Sequence, residues 1–142
     1  MRSTYVAFVA SLAIGTGACG ILDSDTFAEP AVIIAIWETA RVTAPDSVAR
    51  GANFPVSVRT FGGGCTREIA RTLWNVSGGL LQILPYNKTR RSDVCTLDAL
   101  YLTHTVTTRI DQAGPATIRV IGVEHDLYGN RPAQLDRAIA VY

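Results

Sequence analysis

The chain has 142 residues, which favours one domain large enough to bury a real core. Its 13 basic and 12 acidic side chains leave a net charge of +1. That balance argues against nucleic acid, which needs a basic face, and against electrostatic capture by acidic lipid headgroups.

Arg2 precedes a mainly apolar run over residues 5–14. A run of about ten residues is half of what a membrane-spanning helix needs, and it suits the apolar region of a signal peptide. Small residues follow, Gly15-Thr-Gly-Ala-Cys19-Gly20. Thr16, Gly17, Ala18 and Cys19 resemble the lipobox of bacterial lipoproteins, with Thr16 where that family has Leu. The resemblance implies a signal peptide over residues 1–18 and a lipid on Cys19 that holds the protein to a membrane. Gly20 is not the Asp associated with inner-membrane retention, which favours the outer membrane or the periplasmic face. The alternative is ordinary cleavage near Ala18, giving a soluble periplasmic or secreted protein. Residues 19–29 read as a polar tether and residues 30–142 as the folded domain.

The domain reads as strands. Residues 31–37 are apolar on both faces, as in a strand covered on two sides. Residues 42–48 form a broken, turn-containing stretch. From Asn53 to Phe61 the chain alternates, with Phe54, Val56 and Val58 on one face and Ser57 and Arg59 on the other. Gly62-Gly-Gly64 breaks the pattern; without a Gly-Lys-Ser/Thr ending it is no phosphate loop. Residues 68–76 fit helix or strand, and strand is favoured because Ser77-Gly-Gly79 and the apolar run 80–84 supply a hairpin partner. Residues 86–93 read as a basic loop. Leu102, His104, Val106 and Ile110 then share one face, and Ala116, Ile118 and Val120 repeat the period. Residues 126–132 read as a turn-rich loop before a last strand from Arg137 to Tyr142. Short strands separated by turn signals predict an all-β antiparallel sandwich, although a barrel has a similar pattern.

Ala44-Pro-Asp-Ser-Val-Ala-Arg-Gly-Ala-Asn-Phe-Pro-Val-Ser-Val58 resembles the opening of bacterial immunoglobulin-like domains, and residues 111–122 resemble their penultimate strand. The chain is similar to small exported bacterial lipoproteins with one such domain. The resemblance implies an immunoglobulin-like β-sandwich of about seven to nine strands. It implies no catalytic residue and no cofactor. With Cys19 assigned to lipid, Cys65 and Cys95 remain as an even pair for an oxidising compartment, and a disulfide between them is the expectation. A reactive thiol lacks a local nucleophile signature here, and a zinc site lacks its usual spacing.

Candidate chemistry is sparse. His104 lies on an apolar strand face, where a satisfied core histidine is commoner than an acid–base or metal residue. Glu124 and Asp126 are two apart and point the same way from a strand, with His125 facing away. Asp23 and Asp25 offer too few oxygens for calcium. Trp37 and Trp74 read as core residues, with a binding platform as the alternative. The expected function is therefore a non-enzymatic envelope lipoprotein, structural or binding an envelope protein or glycan. Its contact regions are a loop at residues 87–93 (Lys88, Arg90, Arg91) and a turn at 126–132 (Tyr128, Asn130, Arg131). The alternatives are an extracytoplasmic enzyme or metal-binding protein using His104, Glu124 and Asp126, and a protease inhibitor that inserts its loops.

Overall fold

The computed structural model describes residues 25–142. The expected signal peptide, the expected lipid site at Cys19 and the start of the expected tether lie outside the described residues. The described chain is all β, in eleven strands: β1 (Thr26–Pro30), β2 (Val32–Ala35), β3 (Glu38–Thr39), β4 (Arg41–Thr43), β5 (Ser47–Val48), β6 (Phe54–Gly63), β7 (Thr66–Ser77), β8 (Leu80–Arg90), β9 (Ala99–Thr108), β10 (Gly114–Asp126) and β11 (Gly129–Val141).

The long strands follow from the period-two pattern. Phe54, Val56 and Val58 of β6, Val106 of β9 and Ala116, Ile118 and Val120 of β10 all point into one buried core. Leu81 and Ile83 of β8 join them. β6 and β9 pair antiparallel along their whole length, from Phe54↔Thr108 to Gly63↔Ala99. β10 and β11 form a second long antiparallel hairpin. β7, the segment that fits either helix or strand by sequence, is a strand paired with β8, and its register slips at two places.

The connectivity differs from two separate antiparallel sheets. β2, β6, β7, β8 and β10 are linked in a closed ring. Three of the contacts around the fold are parallel: β8 with β10, β2 with β10, and β5 with β11. Residues 26–30, expected to be tether, are strand, so among the described residues the fold already includes Thr26.

This early start builds the main architectural feature. β8 and β10 run side by side at Leu80–Ile83 and Thr117–Val120 and then diverge. The N-terminal chain lines the resulting fork. β1 runs antiparallel to β8 along Tyr86–Arg90, and β2 runs parallel to β10 along Val123–His125. Ala31 sits at the crotch: its N–H donates to Pro85 O at 2.9 Å, and its carbonyl accepts from Val123 N–H at 3.0 Å. Gly122 makes room for it. A Cβ there would meet Ala31 O at 2.5 Å and Ile33 Cγ2 at 2.8 Å.

Two loops expected from the sequence are mostly strand. β8 continues to Arg90, because β1 satisfies one edge of it and β7 the other. Its inward residues beyond Pro85 are Asn87 and Thr89, so hydrophobic alternation stops although the strand does not. Only residues 91–98 are irregular. Likewise the loop at 126–132 shrinks to a two-residue turn, Leu127-Tyr128, and Asn130 and Arg131 are strand residues opposite His125 and Glu124. Asp126 Oδ1 accepts the Tyr128 N–H at 2.7 Å, and Gly129 takes a φ of 118° to re-enter the sheet.

Cys65 and Cys95 are disulfide-bonded, with Cα atoms 5.1 Å apart. The bridge clips the β6–β7 turn to the irregular segment before β9.

Candidate functional site

His104 is 1% exposed and lies at the centre of a buried polar chain. Its Nε2–H donates to Asn87 Oδ1 at 2.9 Å, and Thr72 Oγ1–H donates to Nδ1 at 2.7 Å. Asn87 Nδ2 in turn donates to Phe61 O at 3.3 Å and Thr60 Oγ1 at 3.4 Å, and Thr60 donates to Leu102 O at 3.1 Å. Both imidazole nitrogens are thereby used with the ring neutral. Burial pushes the His104 pKa down from 6.5 to about 4, since a charged ring there loses its water. Thr72 belongs to β7 and His104 to β9, two strands with no backbone ladder between them, so the side chains bridge that seam.

Glu124 and Asp126 do converge, as their spacing requires, but on Arg131. Its Nε lies 3.2 Å from Glu124 Oε2 and its Nη2 2.6 Å from Asp126 Oδ2. His125 faces the other way and pairs with Asn130, Nδ1 to Oδ1 at 2.6 Å. Of the three residues of the enzyme alternative, Glu124 and Asp126 thus share Arg131, while His104 is engaged elsewhere by Asn87 and Thr72. Among the described residues, no three His, Cys, Asp or Glu side chains are grouped to hold a metal ion.

The basic cluster is dispersed. Lys88 pairs with Glu68 at 3.0 Å, and the Arg91 guanidinium lies 5.6 Å from the Phe27 ring centre. Lys88 and Arg90, together with Arg67, line an open cleft of about 490 Å³ beside the disulfide. Tyr128 is 97% exposed at the tip of its turn.

Neither tryptophan is a core residue. Trp37 is 66% exposed and Trp74 49%. Trp37 sits in the turn after β2, where the chain has left the core. Trp74 lies on β7, whose residues are mostly exposed.

A smaller open cavity, of about 310 Å³, occupies the fork between β8 and β10. Its lining includes Pro30, Val32, Phe61-Gly62-Gly63 and the buried Asn87, together with Glu29, Thr66 and Asp98 and with Trp37, His125 and Asn130. Gly62 is needed here for its size: a Cβ would meet Thr66 O at 2.7 Å. Glu29 Oε1 accepts hydrogen bonds from the hydroxyls of Thr66, at 3.3 Å, and Thr89. Asp98 is held from outside by Arg67, 2.7 Å from Oδ2, and by Thr96. Those donors hold the Asp98 carboxyl down at about 2, so it is ionised at neutral pH. Neither lysine nor arginine lines the cavity among the described residues.

No family model, curated protein or solved structure matches this chain. The fork cavity has to be read from its own residues. Sequence reasoning places Asn130 in a contact region but does not reach Glu29, Asp98 or the cavity itself. Their shared location depends on the N-terminal strand entering the fork, and local periodicity carries no sign of that pairing.

Proposed function

We propose that this chain is a non-catalytic binding module that works outside the cytosol, held to the cell envelope by a lipid on Cys19 and displayed on a short tether. The observation that carries the binding reading is the fork cavity, with a two-thirds exposed Trp37 on its wall. An exposed indole beside a polar concavity is a costly surface for a monomer, and it fits a site that a ligand covers. The side chains best suited to proton transfer are already engaged: His104 is neutral and saturated, and Glu124 and Asp126 are neutralised by Arg131. The Cys65–Cys95 bridge supports an oxidising compartment.

An immunoglobulin-like ancestry for the domain has support in three pairings. β4, β6 and β9 make an antiparallel triplet, β10 and β11 a terminal hairpin, and β5 runs parallel to β11. The departure is β8, which lies parallel to β10 and helps to close the ring.

Two measurements test the proposal. Intact mass of the membrane-extracted protein is expected to show a chain beginning at Cys19 with added acyl groups. In a Cys19→Ser chain, which has no lipid, co-sedimentation with isolated envelope fragments is expected to depend on Trp37. Equal sedimentation of the Trp37→Ala form would remove the cavity from the function.

A further inference from the structure

Resting on that reading of the cavity as a binding site, we propose that its ligand is a neutral saccharide, stacked on Trp37 and hydrogen-bonded by Glu29 and Asn130.

A sugar ring presents a flat C–H face and a rim of hydroxyls, each both donor and acceptor. A protein site for it needs an open aromatic face next to fixed acceptors and donors. The cavity has each of these. Trp37 offers the exposed indole in its lining. In the same lining, Glu29 is fixed through Oε1 by the Thr66 and Thr89 hydroxyls, while Oε2 accepts from no side chain among the described residues. Asn130 has its Oδ1 engaged by His125, which orients the amide and leaves its Nδ2 as a donor. Held groups of this kind lose little freedom on binding.

The charge of the cavity selects further. Asp98 is already paired with Arg67, which lies outside the lining, and no lysine or arginine lines the cavity beside the Glu29 carboxylate, so phosphate, sulfate and uronic-acid ligands find no cation there and meet the Glu29 charge. A volume of about 310 Å³ is at the small end of ligand sites and suits a short segment of a chain that enters through the open side. An organic amine is the main competitor, because carboxylates and an indole also suit a cation.

The test uses the full mature chain and three probes: N-acetylglucosamine tetramer, maltotetraose and a lysine-rich peptide. Binding is followed by calorimetry and by tryptophan fluorescence in a Trp74→Phe background, where only Trp37 reports. A neutral tetrasaccharide is expected to bind and to shift the emission. Trp37→Ala is expected to weaken that binding roughly tenfold or more, the scale of one lost aromatic stack. Glu29→Gln and Asn130→Ala are expected to weaken it as well, with thermal unfolding confirming that each variant folds. Binding of the lysine-rich peptide alone, lost in Glu29→Gln, overturns the saccharide and leaves the cavity standing as a binding site. No probe binding, together with Trp37-independent sedimentation on envelope fragments, overturns both. Shortened oligosaccharides among the products overturn the non-catalytic reading.

Discussion

The hydrogen bond from His104 Nε2 to Asn87 Oδ1, 2.9 Å long, joins strand β9 to strand β8 through the interior, where neither backbone reaches the other. It also fixes the tautomer of the ring, because the Asn87 amide is itself oriented by donating to Phe61 O. In a protonated His104 the Nδ1–H would donate to Thr72 Oγ1 instead, so charging the ring reverses that bond, and its cost is the burial of the charge away from water.

Stability is therefore expected to depend on pH through His104. Its folded pKa, about 4, is below the unfolded value of 6.5, so between these limits the unfolded chain binds more protons. The stabilisation is complete above about pH 6.5 and falls away as the pH drops towards 4, by on the order of 2–3 kcal/mol. Urea unfolding at half-unit pH steps measures this directly. In His104→Gln the slope across that window is expected to flatten; an unchanged slope would assign it to other groups.

Gly122→Ala is expected to destabilise the protein by about 1–3 kcal/mol, the usual range for overfilling a packed interior. The new methyl collides with Ala31 O, and Ala31 is the residue that holds the N-terminal chain in the fork. The loss should be local first. Hydrogen exchange is expected to accelerate at residues 26–35 before the β10–β11 hairpin responds, whereas uniform acceleration would deny the fork its role as a separable unit.

Removing the disulfide with Cys65→Ser and Cys95→Ser is expected to cost about 3–4 kcal/mol, since the bridge closes a loop of about 30 residues. The same change releases the segment that carries Asp98 on the cavity wall. Chemical denaturation of the oxidised and double-serine forms gives the difference, and a gap under about 1 kcal/mol would show that the ladder from β6 to β9 already holds the segment in place.

The amphipathic strands were legible because each buries one apolar face: Phe54, Val56 and Val58 in β6, and Ala116, Ile118 and Val120 in β10. The ends of the fold were not. β8 extends through Asn87 and Thr89, whose inward side chains are polar, so the apolar period ends five residues before the strand does. β1 is short and mostly exposed, and it exists because β8 offers it a free edge. Trp37 looks like core by composition, yet the turn at its position carries it out to solvent. The cavity inherits all of these misses, since β1, the end of β8 and the Trp37 turn build its walls. His104 was placed on the correct face by alternation, and its partners were hidden because Thr72 and Asn87 are 32 and 17 residues away in sequence.

Arg137 shows what an unpatterned charged residue does in such a fold, and it gives the last prediction. It stands on β11 and reaches back about ninety residues along the chain to the segment that runs from β4 to β5. Nη1 donates to Val42 O at 3.0 Å, and Nη2 donates to Ala44 O and Asp46 Oδ1, both at 2.8 Å. Its Nε is buried without a partner among the described residues, so the interaction carries a desolvation penalty that the three outer bonds must outweigh. A lysine has one nitrogen at the tip and cannot span two carbonyls and a carboxylate in the plane of a guanidinium. Arg137→Lys is thus expected to lose roughly 1–2 kcal/mol, through the two abandoned carbonyls. Arg137→Met offers a sharper comparison. It abandons the same carbonyls and, like lysine, lacks the buried Nε, so it differs from lysine mainly by the lost charge beside the exposed Asp46 carboxylate and is expected to be within about 1 kcal/mol of it. Parallel thermal unfolding of the two variants decides the matter: a methionine form clearly less stable than the lysine form would mean that the positive charge beside Asp46, rather than the guanidinium geometry, fastens the segment from β4 to β5 onto β11.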